Sequence, residues 1–85
     1  MAPYEIVFKK SVSKDLKKIP KKDVLKVLKV IRSLAENPRP PGVKRLSGQE
    51  RYRLRQGDYR ILYAIEDDKL VITVVKVGDR RDVYR

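Results

Sequence analysis

Four arginines fall within ten residues, Arg51, Arg53, Arg55 and Arg60, at a spacing that lets them act on one ligand. The first three alternate with Tyr52, Leu54 and Gln56, which is the period of a β-strand. Gly57-Asp58 follows, and glycine can take the positive φ that a two-residue hairpin turn demands. With that turn, Gln56 faces Tyr59, Arg55 faces Arg60, Leu54 faces Ile61 and Arg53 faces Leu62. Directly opposed residues of an antiparallel pair project to the same side. The four arginines therefore share one face, while Tyr52, Leu54, Ile61, Tyr63 and Ile65 share the other. A slip of one residue would scatter both sets, so the register is well specified. Like charges opposed across a ladder cost about 0.2–1 kcal/mol per pair. A purely structural sheet has no use for four of them. A polyanion lying across the face accounts for their presence, because guanidinium forks bind phosphate through paired hydrogen bonds. The remainder of that face, Leu62, Val71, Thr73 and Val75, is partly apolar, which points to a protein partner covering it as well.

What the chain lacks narrows the chemistry further. Its 85 residues contain neither cysteine nor histidine, which removes disulfides, zinc fingers, thiol nucleophiles, Ser-His-Asp triads and paired-histidine ribonuclease chemistry. Lysine and arginine number 22 against 11 acids, a formal charge of +11, and the pI is near 10.1. Such a balance suggests nucleic acid or an anionic membrane as the partner. The cations are segregated: residues 1–42 carry nine of the twelve lysines, and residues 43–85 carry eight of the ten arginines. The basic helices described below lack the Trp and Phe anchors of interfacial segments, so no membrane partner is expected. Asp67-Asp68 sits where a turn wants Asp, and Asp79 and Asp82 are interleaved with arginines, so neither a metal nor any other cofactor is expected. The longest mainly apolar run, Leu70 to Val75, is far short of the roughly 20 residues that span a bilayer. The charge-rich first 20 residues hold no signal-peptide core, and the expected location is cytoplasmic.

The elements that must position the arginines can be read in outline. Tyr4 to Lys9 alternates as a strand, and Ser11 is a candidate N-cap for a short helix with Val12, Leu16 and Ile19 on one side. Pro20 ends that helix. A second helix from about Lys22 to Glu36 carries Val24, Val27, Leu28, Ile31, Leu34 and Ala35 in one stripe. Residues 37–42 hold three prolines and form a loop. Three strands follow in a meander, 51–56, 59–66 and 69–77, with turns at Gly57-Asp58 and Asp67-Asp68. The expected fold is α+β, in the order β-α-α-β-β-β. Two N-terminal helices pack on one face of a small, mainly antiparallel sheet, and residues 1–85 make one domain.

The chain resembles the RelE toxins, within the larger group that includes ParE. The resemblance lies in Tyr4-Glu5-Ile6-Val7-Phe8, Ser13 to Ile19, Asn37-Pro38 and Lys44-Arg45-Leu46-Ser47-Gly48. Its most specific parts are Tyr52 to Tyr63 and the ending Val77-Gly78-Asp79-Arg80-Arg81-Asp82-Val83-Tyr84. It implies the toxin of a type II toxin–antitoxin system, a ribosome-dependent endoribonuclease that cuts messenger RNA in the decoding site without metal. The 2′-oxygen would attack the adjacent phosphate. The catalytic positions so implied are Arg53, Arg55, Arg60, Arg80 and Tyr84, with Lys44, Arg45, Arg51 and Arg81 as further RNA-binding positions. The implied partners are a cognate antitoxin, the messenger, and the small ribosomal subunit with its RNA. Some RelE toxins carry lysines where this chain has Arg53 and Arg55. Arginine does not give up its proton, so no general base is identified here. The alternatives are a ParE-like inhibitor of DNA gyrase and a non-cleaving protein that blocks translation by binding RNA or the ribosome.

Overall fold

The computed structural model of the protein describes residues 3–46 and 51–79. Strand β1 (Glu5–Phe8) leads into α1 (Lys10–Lys17) and α2 (Lys21–Ser33). Strands β2 (Lys44–Arg45), β3 (Arg51–Gln56), β4 (Tyr59–Glu66) and β5 (Val71–Asp79) follow. They form one sheet in the order β1-β5-β4-β3-β2. Only the β1–β5 pair is parallel, the two helices forming part of the crossover between them. The α+β architecture is as the residue pattern implies, with one addition: the two-residue β2 extends the sheet beyond β3.

The helices begin and end where their neighbours require. Ser11 is not the cap of α1; Lys9 is, in extended geometry and without a side-chain hydrogen bond. The reason is that the Lys9 N–H still bonds to the Val74 carbonyl (2.9 Å), so the helix starts directly after the last rung of the β1 ladder. Helix α2 ends at Ser33 rather than Glu36. Leu34, Ala35 and Glu36 continue it with tighter i→i−3 bonds, and the Ala35 carbonyl accepts the Tyr4 N–H at 2.9 Å. Both helices place their apolar stripe on the sheet. Val12, Ile19, Val27, Ile31 and Leu34 close over Tyr52, Leu54, Ile61, Tyr63, Ile65, Ile72, Val74 and Val77, and all thirteen are buried. Among the described residues no helix is long and apolar enough to cross a membrane.

The β3–β4 hairpin has the register that the alternation dictates, from Gln56–Tyr59 through Arg55–Arg60, Leu54–Ile61 and Arg53–Leu62 to Arg51–Ala64. Gly57 has φ +58° and Asp58 is not in the positive-φ region, the type II′ arrangement in which glycine takes the first central position. The β4–β5 turn is longer than Asp67-Asp68. It runs through Leu70, whose φ of 55° turns the chain before β5 begins at Val71 instead of Lys69. A second departure is a β-bulge: Tyr63 pairs with Val74 but Leu62 pairs with Lys76, leaving Val75 as the extra residue. Unbroken alternation would set Lys76 opposite Ile61 in the core. The bulge instead brings Val77 there, where it is 1% exposed.

Candidate functional site

Register places the basic side chains on the sheet face away from the helices, in three rows. Lys44, Arg53, Leu62 and Lys76 form one row across β2, β3, β4 and β5. Arg55, Arg60 and Gly78 form the next, toward the β3–β4 turn. Arg51, Ala64, Thr73 and Val7 form the third, so the face grades from basic at one end to small and apolar at the other. Arg51, Arg53, Arg55 and Arg60 are thus brought together as the spacing requires, and the pairing of β2 with β3 adds Lys44. Arg45 is separated from them, because it pairs with Tyr52 and belongs to the helix side of the sheet. Arg80, Arg81 and Tyr84 lie outside the described residues.

The arginines are not equivalent. Arg51 and Arg55 are exposed, and among the described residues neither makes an ion pair. Arg60, between Arg55 and the side-chain-free Gly78, is only 2% exposed. A guanidinium keeps its charge even when buried, so Arg60 fixes a positive centre within the sheet surface, with Arg53 and Arg55 nearer to solvent. Lys76 is a cation of this face that regular alternation hides, since it assigns the position opposite Leu62 to Val75. The signal available in the sequence is Val74-Val75-Lys76-Val77, where strict alternation from the buried Val74 would put a lysine in the core and Val77 outside it.

A second arginine shows what a structural guanidinium looks like in this molecule. Arg39, in the proline loop, pairs with Asp67 (Nη2–Oδ2 2.9 Å) and donates Nε–H to the Tyr52 hydroxyl (3.2 Å). Its guanidinium carbon lies 5.2 Å from the Tyr52 ring centre. The Tyr4 hydroxyl donates to the same carboxylate at 2.7 Å. These bonds hold the Asp67 carboxyl below its ordinary range, and those to Asp67 and Tyr52 raise Arg39. Tyr52 stacks on Tyr63 with ring centres 5.8 Å apart, and the Tyr63 hydroxyl donates to the Pro38 carbonyl at 2.7 Å. Burial pushes Tyr63 up to about 12. At the other end of the sheet the Tyr59 hydroxyl donates to Asp23 of α2 (2.8 Å), a bond that raises the phenol. These contacts clamp the loop and α2 to the inner side of the sheet and leave the outer side to the cations.

A small mixed sheet with two helices on one face and arginines on the other defines the class, and sequence comparison identifies it. The family model described as the ParE toxin of type II toxin–antitoxin systems, parDE, matches residues 6–84, and the chain belongs to this family. Its named relatives include Toxin RelG of Mycobacterium tuberculosis, 30% identical with 98% of each chain covered. A chain of the RelE–RelB complex from Pyrococcus horikoshii superposes with a TM-score of 0.83 at 30% identity, covering 94% of this chain and 98% of that one. A chain of the Escherichia coli RelBE toxin–antitoxin complex gives 0.75 at 29% identity, covering 89% and 95%. This protein is a RelE-like toxin of the type II class.

Proposed function

We propose that this toxin is a ribosome-dependent endoribonuclease that cuts messenger RNA in the decoding site and so arrests translation. The observation that carries the proposal is the single basic face on which Arg53, Arg55 and Arg60 converge, joined by Lys44 and Lys76. In this reading the ribose 2′-oxygen attacks the neighbouring phosphorus, and the bond to the 5′-oxygen of the next nucleotide breaks. Arg60, with Arg80, stabilises the additional charge of the pentavalent phosphorane. Arg53 and Arg55 hold the RNA backbone so that the 2′-oxygen stays near its target. Tyr84 stacks on an unstacked base. Lys44, Arg51 and Arg81 add contacts to phosphates, which are independent of sequence and sensitive to salt. Arginines cannot accept the proton of the 2′-hydroxyl, and the chain has no histidine. Catalysis then rests on electrostatics and positioning, together with what the ribosome supplies, and activity on free RNA is expected to be weak or absent.

The toxin acts in the cytoplasm, where its substrate is, and is held inactive by a cognate antitoxin. Solved relatives include complexes with RelB proteins. Acidic side chains of such a partner suit the arginine face, and an apolar helix suits the groove lined by Phe8, Val12, Leu16 and Leu28.

The ParE description of the family model favours a second reading, inhibition of DNA gyrase. Parallel assays separate the two: primer extension on messenger from programmed ribosomes, and supercoiling by purified gyrase. New messenger ends with undisturbed supercoiling are expected. Intact messenger with blocked supercoiling would replace the nuclease by the gyrase inhibitor. Because Arg60 is buried, Arg60→Ala needs a thermal melt beside it; a properly folded variant should lose about 10²–10³-fold in cleavage, the range for removing one charge-stabilising donor.

A further inference from the structure

The basic face depends on β5, which contributes Lys76 and Gly78 and runs in the chain to within one residue of Arg80. Past Val74, however, β5 has no outer strand among the described residues. The ladder with β1 ends at Phe8–Val74, and the Lys9 N–H to Val74 carbonyl bond is its last rung. A strand edge left in that state exposes backbone N–H groups and opens readily.

Among the described residues, helix α1 supplies a side-chain acceptor to this edge. Asp15 Oδ2 accepts the Val77 N–H at 3.2 Å, and Oδ1 lies 3.9 Å from Lys76 Nζ. The Asp15 side chain is 15% exposed and is the single acid in a helix whose other charges are lysines. The bulge creates the contact. Val74 and Val77 both bury their side chains against the helices, and both turn a backbone group to the outer edge, the first toward Lys9 and the second toward Asp15. One carboxylate thus substitutes for a strand over one rung, beside the row that contains Lys76 and directly before Gly78.

We propose that Asp15 is a positioning residue of the toxin's site: it holds the last stretch of β5 so that Lys76 and Gly78 stay in register with Leu62 and Arg60. The consequence for cleavage rests on the nuclease reading; the consequence for the strand does not.

Amide hydrogen exchange on the full chain, wild type against Asp15→Ala and Asp15→Asn, tests the strand. Kinetics on programmed ribosomes test the cleavage. In Asp15→Ala the Val77 amide should exchange about tenfold faster, as expected for loss of one hydrogen bond. The Ile72 and Val74 amides should change by less than about twofold. Asparagine keeps an oxygen acceptor, so Asp15→Asn should retain most of the protection. In step with this, kcat should fall about tenfold in Asp15→Ala with little change in KM, and Asp15→Asn should recover most of it. Unchanged exchange at Val77, or faster exchange spread evenly along β5, would overturn the proposal, as would local opening with kcat intact in a chain that cuts RNA. If the wild type cuts no RNA the nuclease reading fails, and the exchange pattern alone decides whether Asp15 holds the strand.

Discussion

The two faces of the sheet are made by the same strands and the same alternation, yet they are built on opposite terms. On the inner face, Leu54, Ile61, Tyr63, Ile72 and Val74 meet the helices, and burial of their apolar surface drives folding at about 25 cal/mol per Å². On the outer face, Arg55 opposes Arg60 and Lys44 opposes Arg53, arrangements that oppose folding. The first face supplies stability, and the second gives up some of it for a positive field. Arg39 makes the contrast sharper. Given Asp67 and Tyr52 as partners, the same side chain fastens a loop.

The largest expected effect lies on the inner face. Ile61 is fully buried opposite Val77, and Ile61→Ala should cost about 2–5 kcal/mol of stability in denaturant unfolding. A loss as small as that of a surface change would mean that the core is not where the fold's stability resides. Next comes Arg55→Ala, which should move the two properties in opposite directions. Removing a like charge opposite Arg60 should stabilise the protein by a few tenths to about 1 kcal/mol, while cleavage falls. A variant that is both less stable and fully active would break the distinction between the faces.

Smaller effects refine it. Lys76→Ala should reduce the slope of log affinity against log salt by about 0.7 for single-stranded RNA, as expected if one phosphate contact is lost. An unchanged slope would remove Lys76 from the contact surface. The smallest effect concerns the Arg39–Asp67 contact. Chiefly through its bond from Arg39, Asp67 sits below its ordinary value of 3.8, so the folded state takes up its proton less readily than the unfolded chain. The contact therefore stabilises fully above that value and is lost as pH falls through it toward the lower folded value. Melting temperatures of wild type and Asp67→Asn should converge in that acid window and separate above it; parallel curves would deny the contact a role.

Much of this arrangement is legible in the chain because several signals coincide. Gly57-Asp58 fixes the turn, and the arginine–apolar alternation on either side admits one register, so the Arg55–Arg60 pairing follows from spacing alone. The helix stripes are read equally well. Other features escape because they are decided by contacts distant in sequence. Alternation cannot show that Val75 is bulged out; the bulge buries Val77 and keeps the Lys76 ammonium in water, where unbroken alternation would do the reverse. The start of α1 is set by a hydrogen bond to Val74, which overrides Ser11 as a cap. Arg45 reads as one more cation beside Lys44, and only the pairing of β2 with β3 assigns the two to opposite faces. The burial of Arg60 and the meeting of Asp15 with Val77 likewise have no local signature.

The division between faces is tested most directly by mapping messenger ends from programmed ribosomes with wild type, Arg55→Ala and Arg45→Ala. Both variants remove one exposed arginine, from opposite sides of the sheet. Cutting inside the decoding-site codon should fall by at least about tenfold in Arg55→Ala and stay close to wild type in Arg45→Ala. Equal losses in the two variants would contradict the account, because total charge and not the arginine face would then govern the reaction.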